Sequence, residues 1–220
     1  AYPPEHMLFA STSSVYGAEK RMPYREKLKA DEQLSLYAAT KKSTENIAHS
    51  YSHLFKLPIT IFRFFTVYGP WGRPDMAYFK FTKNILENLP IEVFNHGKMK
   101  RDFTYVEDIS EAIYLLIDHS PSKIEYKDRL LGDSISAVAP FRIINIGNSE
   151  PVSLSDFIGA IEIATGNEAK KKMMPMQQGD VVSTWADVTL LKKLTGYSPK
   201  TSLKNGMEEF VTWFKNYYRI

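Results

Sequence analysis

A chain of 220 residues with 44% hydrophobic and 24% charged side chains is long enough to bury a sizeable core, which excludes extended disorder. The lack of cysteine excludes disulfides and thiolate metal sites and fits a reducing, cytoplasmic setting, while a net charge of +3 is too small to signal a nucleic-acid partner. The longest apolar stretches, such as Ala-Ile-Tyr-Leu-Leu-Ile at 112–117, fall far short of a bilayer span and no signal peptide opens the chain, so no membrane partner is expected.

Met7-Leu-Phe-Ala-Ser-Thr12 is a short apolar run suited to a buried parallel strand. Residues 13–33 read as a charged loop, and apolar residues from Leu34 to Phe55 recur at helical spacing. Pro58-Ile-Thr-Ile-Phe-Arg63 is β-branched and short, a second buried strand. Residues 66–75 form a Gly/Pro-rich loop of the kind that carries function. A helix is predicted over 77–87, a strand over 91–94, a turn at 95–98 and an extended segment over 101–105. The helix predicted over 107–118 opens with acids, as the helix dipole prefers. Residues 119–140 are irregular, 142–146 a strand, and Ser153 with Asp156 caps a helix over 154–164. Two more helices follow, over 188–194 and 203–217. Alternating strands and helices predict an α/β fold: a doubly wound parallel sheet with a smaller second domain.

Tyr37-Ala-Ala-Thr-Lys41 places a phenol and an ammonium on one helical face. An ammonium that close stabilises a phenolate, which turns tyrosine into a general base. The spacing also occurs at Tyr16 and Lys20, in a loop where it carries no meaning, so taken alone Tyr37 and Lys41 also fit a solvated helix face. Upstream, Ser11-Thr-Ser-Ser14 ends the first strand in hydroxyls. Ligands bind at the carboxyl ends of parallel strands, so Thr12, Ser13 and Ser14 face a site unless they simply form a Ser/Thr turn. His49 and His53 stand four apart without a third ligand, and no metal site is expected. Lys170-Lys-Lys172 reads as a solvated charge run, and Trp185 as core rather than a stacking platform.

The hydroxyl run followed by Tyr-x-x-x-Lys resembles the extended short-chain dehydrogenase/reductase family, in particular its nucleotide-sugar epimerases, dehydratases and decarboxylases. Arg63-Phe-Phe-Thr-Val-Tyr-Gly-Pro70, Arg101-Asp-Phe-Thr-Tyr-Val-Glu-Asp108, Asn145-Ile-Gly147 and Gly179-Asp-Val with Ala186-Asp187 match in order. The resemblance implies NAD as cofactor, a UDP-sugar as substrate and a homodimer formed partly by the 34–55 helix. It makes Tyr37 the base, Lys41 its partner on the nicotinamide ribose, Thr12 a hydrogen-bond donor to the reacting oxygen, and Phe64 a neighbour of the cofactor. Residues 1–67 become part of a Rossmann domain to which 101–147 returns, and 68–100 with 148–220 a substrate domain.

Within that family, similar dehydratases carry an Asp-Glu pair where this chain has Ser13-Ser14, and similar glucuronate decarboxylases a Glu in place of Ser14. Elimination therefore lacks its acid/base pair, and epimerisation at C4 is the better reading. The segment from Arg63 to Met76 is similar to UDP-glucuronate 4-epimerases. Ser13, Ser14 and Thr66 would hold the sugar carboxylate, while Arg73 serves the diphosphate, a domain interface or only solvent. Arg101 would neutralise the diphosphate, Asp180 accept from the ribose, and Val93 with Phe94 edge the uracil. Gln177 stands where an Arg is common, which leaves fewer charges for the phosphates. The 220 residues contain no G-x-x-G-x-x-G turn. The chain is therefore expected to be a piece of an epimerase, inactive alone. The alternatives are a non-catalytic nucleotide-sugar binding or assembly module and a decarboxylase relative.

Overall fold

The computed structural model describes residues 2–121, 130–176 and 181–220. Strands β1 (Met7–Thr12) and β2 (Ile59–Phe64), with the helix α1 (Leu36–Phe55) between them, open the chain. β3 (Thr66–Tyr68), α2 (Ala77–Leu86), β4 (Pro90–Val93), β5 (Lys100–Tyr105) and α3 (Val106–Leu116) follow. Next come β6 (Phe141–Ile146), β7 (Pro151–Ser153), α4 (Leu154–Thr165), β8 (Lys170–Met173) and β9 (Ser183–Thr184). α5 (Thr189–Thr195) and α6 (Leu203–Tyr218) end it. Hydroxyl caps set three helix starts: Ser35, Ser153 and Ser202 accept from the amides of Ala38, Asp156 and Asn205 at 3.1, 3.0 and 3.2 Å.

β1, β2 and β6 form a parallel sheet in that order, with Thr12 opposite Phe64 and Phe64 opposite Ile146. The three carboxyl ends therefore finish level. Alternate residues serve opposite faces. Leu8, Phe62, Phe64, Ile144 and Ile146 pack under α3 and α5. Met7, Phe9, Ile59, Ile61 and Phe141 pack toward Ala48 of α1. Helices on both faces make this the doubly wound α/β layer that the element order predicts. The larger core lies elsewhere, where α2, α4 and α6 enclose β4 and β5, with the rings of Phe103 and Phe157 stacked at 3.9 Å.

Four strands escape the sequence reading. The first residues of the Gly/Pro-rich loop form β3, parallel to β5; β7 pairs β5 antiparallel over Lys100–Asp102, and β9 pairs it in parallel at Lys100 and Arg101. The lysine run is β8, paired in parallel with β4 although its side chains point to solvent. Within 101–147, α3 and β6 belong to the first layer, whereas β5 lies in the second sheet. Asp102 on β5 ties distant segments together: its buried carboxylate accepts from the amides of Asn148, Ser149 and Ala186 at 2.7, 3.0 and 3.0 Å. Among the described residues no helix is long and apolar enough to cross a membrane.

Candidate active site

The level strand ends bring most of the predicted residues into one place. Thr12 ends β1 and caps a short turn over Ser13–Tyr16, its Oγ1 accepting from the Ser14 amide and donating to Ser14 Oγ, both at 3.2 Å. α1 starts beside that turn. Its first turn presents Tyr37, about half exposed, and its second presents Lys41, whose Nζ donates to the Ala10 carbonyl at 3.1 Å. Lys41 is thereby pinned to β1 instead of ranging through solvent. A cavity of about 670 Å³ opens here, lined by Thr12, Ser13, Ser14, Tyr37, Lys41, Phe64, Thr66 and Arg73, with Trp71, Met76 and Tyr78. A smaller cavity of about 200 Å³ shares Ser13, Ser14 and Thr66 and adds Tyr24, Arg101, Val181 and Thr184.

The lining chemistry is one-sided. Lys41, Arg73 and Arg101 supply cations and the serines and threonines supply hydroxyls. Among the described residues neither cavity is lined by Asp or Glu. Such walls attract anions and, among the described residues, offer no carboxylate for acid/base work.

Behind the hydroxyl turn lies a buried polar network absent from the sequence reading. Glu45 accepts from Ser11 Oγ at 2.7 Å and from Arg63 at 2.9 and 2.7 Å, and the Arg63 guanidinium sits 4.7 Å from the Tyr16 ring centre. Tyr16 stacks on Tyr24 at 4.4 Å and donates to Asn145 Oδ1 at 2.7 Å. Burial outweighs the nearby guanidinium and pushes the Tyr16 phenol up to about 12, so it stays neutral. Glu26 accepts from the Asn145 amide at 3.0 Å, and desolvation lifts its carboxyl to about 7. The signal for this network was present: an arginine inside the apolar strand Ile-Thr-Ile-Phe-Arg-Phe has to find a buried anion.

Among the described residues, the other predicted ones lie apart from the larger cavity. Val93 is buried in the larger core and Phe94 is half-buried beside it, and neither lines the two cavities. Arg101 Nη1 donates to the carbonyls of Lys100 and Val182 at 2.9 and 3.4 Å. Asp180 and Gln177 lie outside the described residues. His49 bonds Ser136 at 2.9 Å and His53 the Val138 carbonyl at 2.8 Å. Trp185 is half-buried and lines neither cavity, but its carbonyl accepts from the Tyr24 amide at 2.9 Å.

The family model for the NAD dependent epimerase/dehydratase family matches residues 1–132. A probable UDP-glucuronate 4-epimerase of Rhizobium meliloti is 49% identical over 221 residues, covering all of this chain and 64% of that protein. UDP-glucuronate 4-epimerase 4 of Arabidopsis thaliana is 44% identical, covering 98% of this chain and 49% of that one. A crystal structure of UDP-glucuronic acid 4-epimerase from Bacillus cereus, in complex with UDP-glucuronic acid and NAD, superposes with a TM-score of 0.83 at 36% identity. That match covers 97% of this chain and 62% of the Bacillus chain. The chain thus spans less than two thirds of the length of these relatives.

Proposed function

The chain belongs to the NAD dependent epimerase/dehydratase family, and from that premise we propose that it carries the sugar-binding and acid/base part of a UDP-hexuronate 4-epimerase, interconverting UDP-glucuronate and UDP-galacturonate. The observation that carries the reading is the larger cavity, where Tyr37, Lys41 and Thr12 meet serine and threonine hydroxyls and no carboxylate among the described residues. Tyr37 takes the proton of the C4 hydroxyl and later returns it, while Thr12 hydrogen-bonds the same oxygen. Ser13, Ser14 and Thr66 hold the sugar carboxylate with neutral donors. Arg73 and Arg101 offset the diphosphate charge. Phe94, Val93 and Asp180 belong to the nucleoside end of this assignment. With no carboxylate among the described residues of the cavity, the C4 ketone can turn over instead of losing water or its carboxyl group.

The residues present fit one end of NAD: Lys41 and Tyr37 for the nicotinamide ribose and Phe64 beside the ring, all opening onto the same cavity. When bound, the nicotinamide supplies reversible hydride transfer at C4. No G-x-x-G-x-x-G turn for the pyrophosphate occurs in the 220 residues. These residues alone are therefore expected to bind the UDP-sugar without turning it over, and a binding module is the second reading that this observation favours. The apolar face of α1, where Ile47, Tyr51, Leu54 and Phe55 are more than half exposed, supports a homodimer. The lack of cysteine supports a cytoplasmic setting.

Titration calorimetry tests the reading. UDP-glucuronate should bind the chain more tightly than UDP-glucose, through its additional carboxylate. A chimera joining the chain to the part of the Rhizobium relative that it does not match should convert UDP-glucuronate to UDP-galacturonate by NMR. Equal affinity for the two sugars, or release of a pentose product, would replace the assignment.

A further inference from the structure

Trp71 is set apart within the rim loop. It adopts φ +61°, a conformation rare for a bulky side chain, and the residue is 76% exposed. A residue held in that region persists only where its surroundings over-determine it. The surroundings here are rings from α6, about 140 positions further along the chain. Trp71 lies 5.4 Å from Trp213 and 5.4 Å from Tyr217, and those two stack on each other at 5.3 Å and 24°. The next residue is held from beneath. A Cβ on Gly72 would come within 1.7 Å of the Tyr78 hydroxyl, and the Tyr78 ring meets Phe210 of α6 edge-on at 4.9 Å. One face of α6 therefore meets Trp71 directly and, through the Tyr78 ring, backs Gly72; the next residue is Arg73.

Arg73 itself is loosely tied. Its side chain is 73% exposed, with Nε 3.6 Å from the Asp75 carboxylate and Nη2 3.3 Å from the Met76 sulfur. A cation held so weakly by its own side chain takes its position from its backbone, and that backbone is set by Trp71 and Gly72. Both residues, like Arg73, line the larger cavity with Tyr37 and Lys41.

We propose that Trp213 and Tyr217 are positioning residues: their stack, closed by Trp71, fixes the rim loop so that Arg73 meets the anionic groups of the ligand in the cavity. This rests on the nucleotide-sugar reading. It adds to that reading the C-terminal turns of α6, which lie outside the two cavities.

Tyr217 is half exposed on the last turn of α6, so Tyr217→Leu should leave the fold and its melting temperature unchanged. Loss of the Tyr217 ring from Trp71 and Trp213 should raise hydrogen exchange of the amides at 69–76 and weaken UDP-glucuronate binding, each by up to about tenfold. Tyr217→Phe, which keeps the ring, should restore both. Trp213→Leu should act in the same direction and more strongly. Unchanged loop exchange in Tyr217→Leu, raised exchange with unchanged affinity, or a Phe variant no better than Leu would overturn the proposal. A general rise of exchange with a fall in melting temperature would overturn it too, marking a stability effect. Failure of the wild-type chain to bind UDP-glucuronate would instead sink the nucleotide-sugar reading, and the ligand-free exchange experiment would still decide whether the stack holds the loop.

Discussion

Glu45 of α1 and Arg63 of β2 meet at two points, Oε1 to Nε at 2.9 Å and Oε2 to Nη2 at 2.7 Å, with both side chains at most 2% exposed. The same carboxylate receives Ser11 from β1 and lies 3.3 Å from Lys42. The pair thus joins α1 to β2 and to β1, whose end bears the hydroxyls, and so sets where Tyr37 and Lys41 stand. Burial penalises the Glu45 charge, but Arg63 outweighs it and the carboxyl stays below its ordinary value. A depressed carboxyl stabilises the fold at higher pH, and its contribution is lost only as pH falls below the ordinary carboxylate range. Glu45→Ala strands a buried guanidinium and should cost about 3–5 kcal/mol at neutral pH, read from urea unfolding. A loss under about 1 kcal/mol would mean that water reaches Arg63.

Removal of the Tyr37 hydroxyl separates binding from chemistry. In the chimera described above, Tyr37→Phe should lower turnover by about 10²–10⁴-fold while UDP-glucuronate affinity stays within about twofold. The comparison needs NMR progress curves beside calorimetry on the same variant. Retained turnover would move the base to another group.

Glu26 predicts a pH dependence of opposite sign to that of Glu45. Desolvation first, opposed by the Asn145 amide and aided by the Asp187 charge, brings its carboxyl to about 7. Between the ordinary value of 4.5 and about 7 the folded state holds a proton that the unfolded chain has released. Stability therefore falls as pH rises across that window and is level above it. Glu26→Gln keeps an oxygen for the Asn145 amide and should flatten the slope, a difference on the order of 1–3 kcal/mol between the ends of the window. Melting curves of both proteins from pH 4.5 to 8 would show it.

Gly206 lies within α6, where alanine would ordinarily favour the helix by up to about 1 kcal/mol. Here a Cβ would come 2.3 Å from the Tyr68 hydroxyl and 3.0 Å from the Tyr105 ring, and Tyr68 is 1% exposed. The clash should win, with Gly206→Ala lowering stability by about 1–3 kcal/mol in urea unfolding. A stabilised variant would mean that the Tyr68 ring has room to swing.

β1 and β2 are readable as short, nearly continuous apolar runs, and α1 by apolar residues at helical spacing, although Ile47, Tyr51 and Phe55 of that stripe are exposed. Backbone pairing leaves no such pattern. Lys170-Lys-Lys172 shows only solvent-facing charge, yet it is a strand, because its bonds to β4 run through the main chain. Thr66-Val-Tyr68 is short enough to be hidden by the Gly-Pro that follows it. Of the cavity lining, Thr12, Ser13, Ser14, Tyr37 and Lys41 could be read from local order, a strand end and two turns of one helix, and Thr66 from the family resemblance. The grip of Trp213 and Tyr217 on Trp71 could not, since no local pattern couples a loop to a helix so far along the chain.

The Asp102 carboxylate gathers amides 46, 47 and 84 positions away. Each bond closes a long loop, and loop closure is an entropic cost met before the contact repays it. The first parallel layer, needing only β1, β2 and β6, can form without that carboxylate. The wall of the smaller cavity cannot, because Thr184 stands two residues from Ala186 and is set by the last of those bonds. The Asp102 carboxylate therefore bears on the pocket beside Arg101 and not on the strand pairing that carries Thr12.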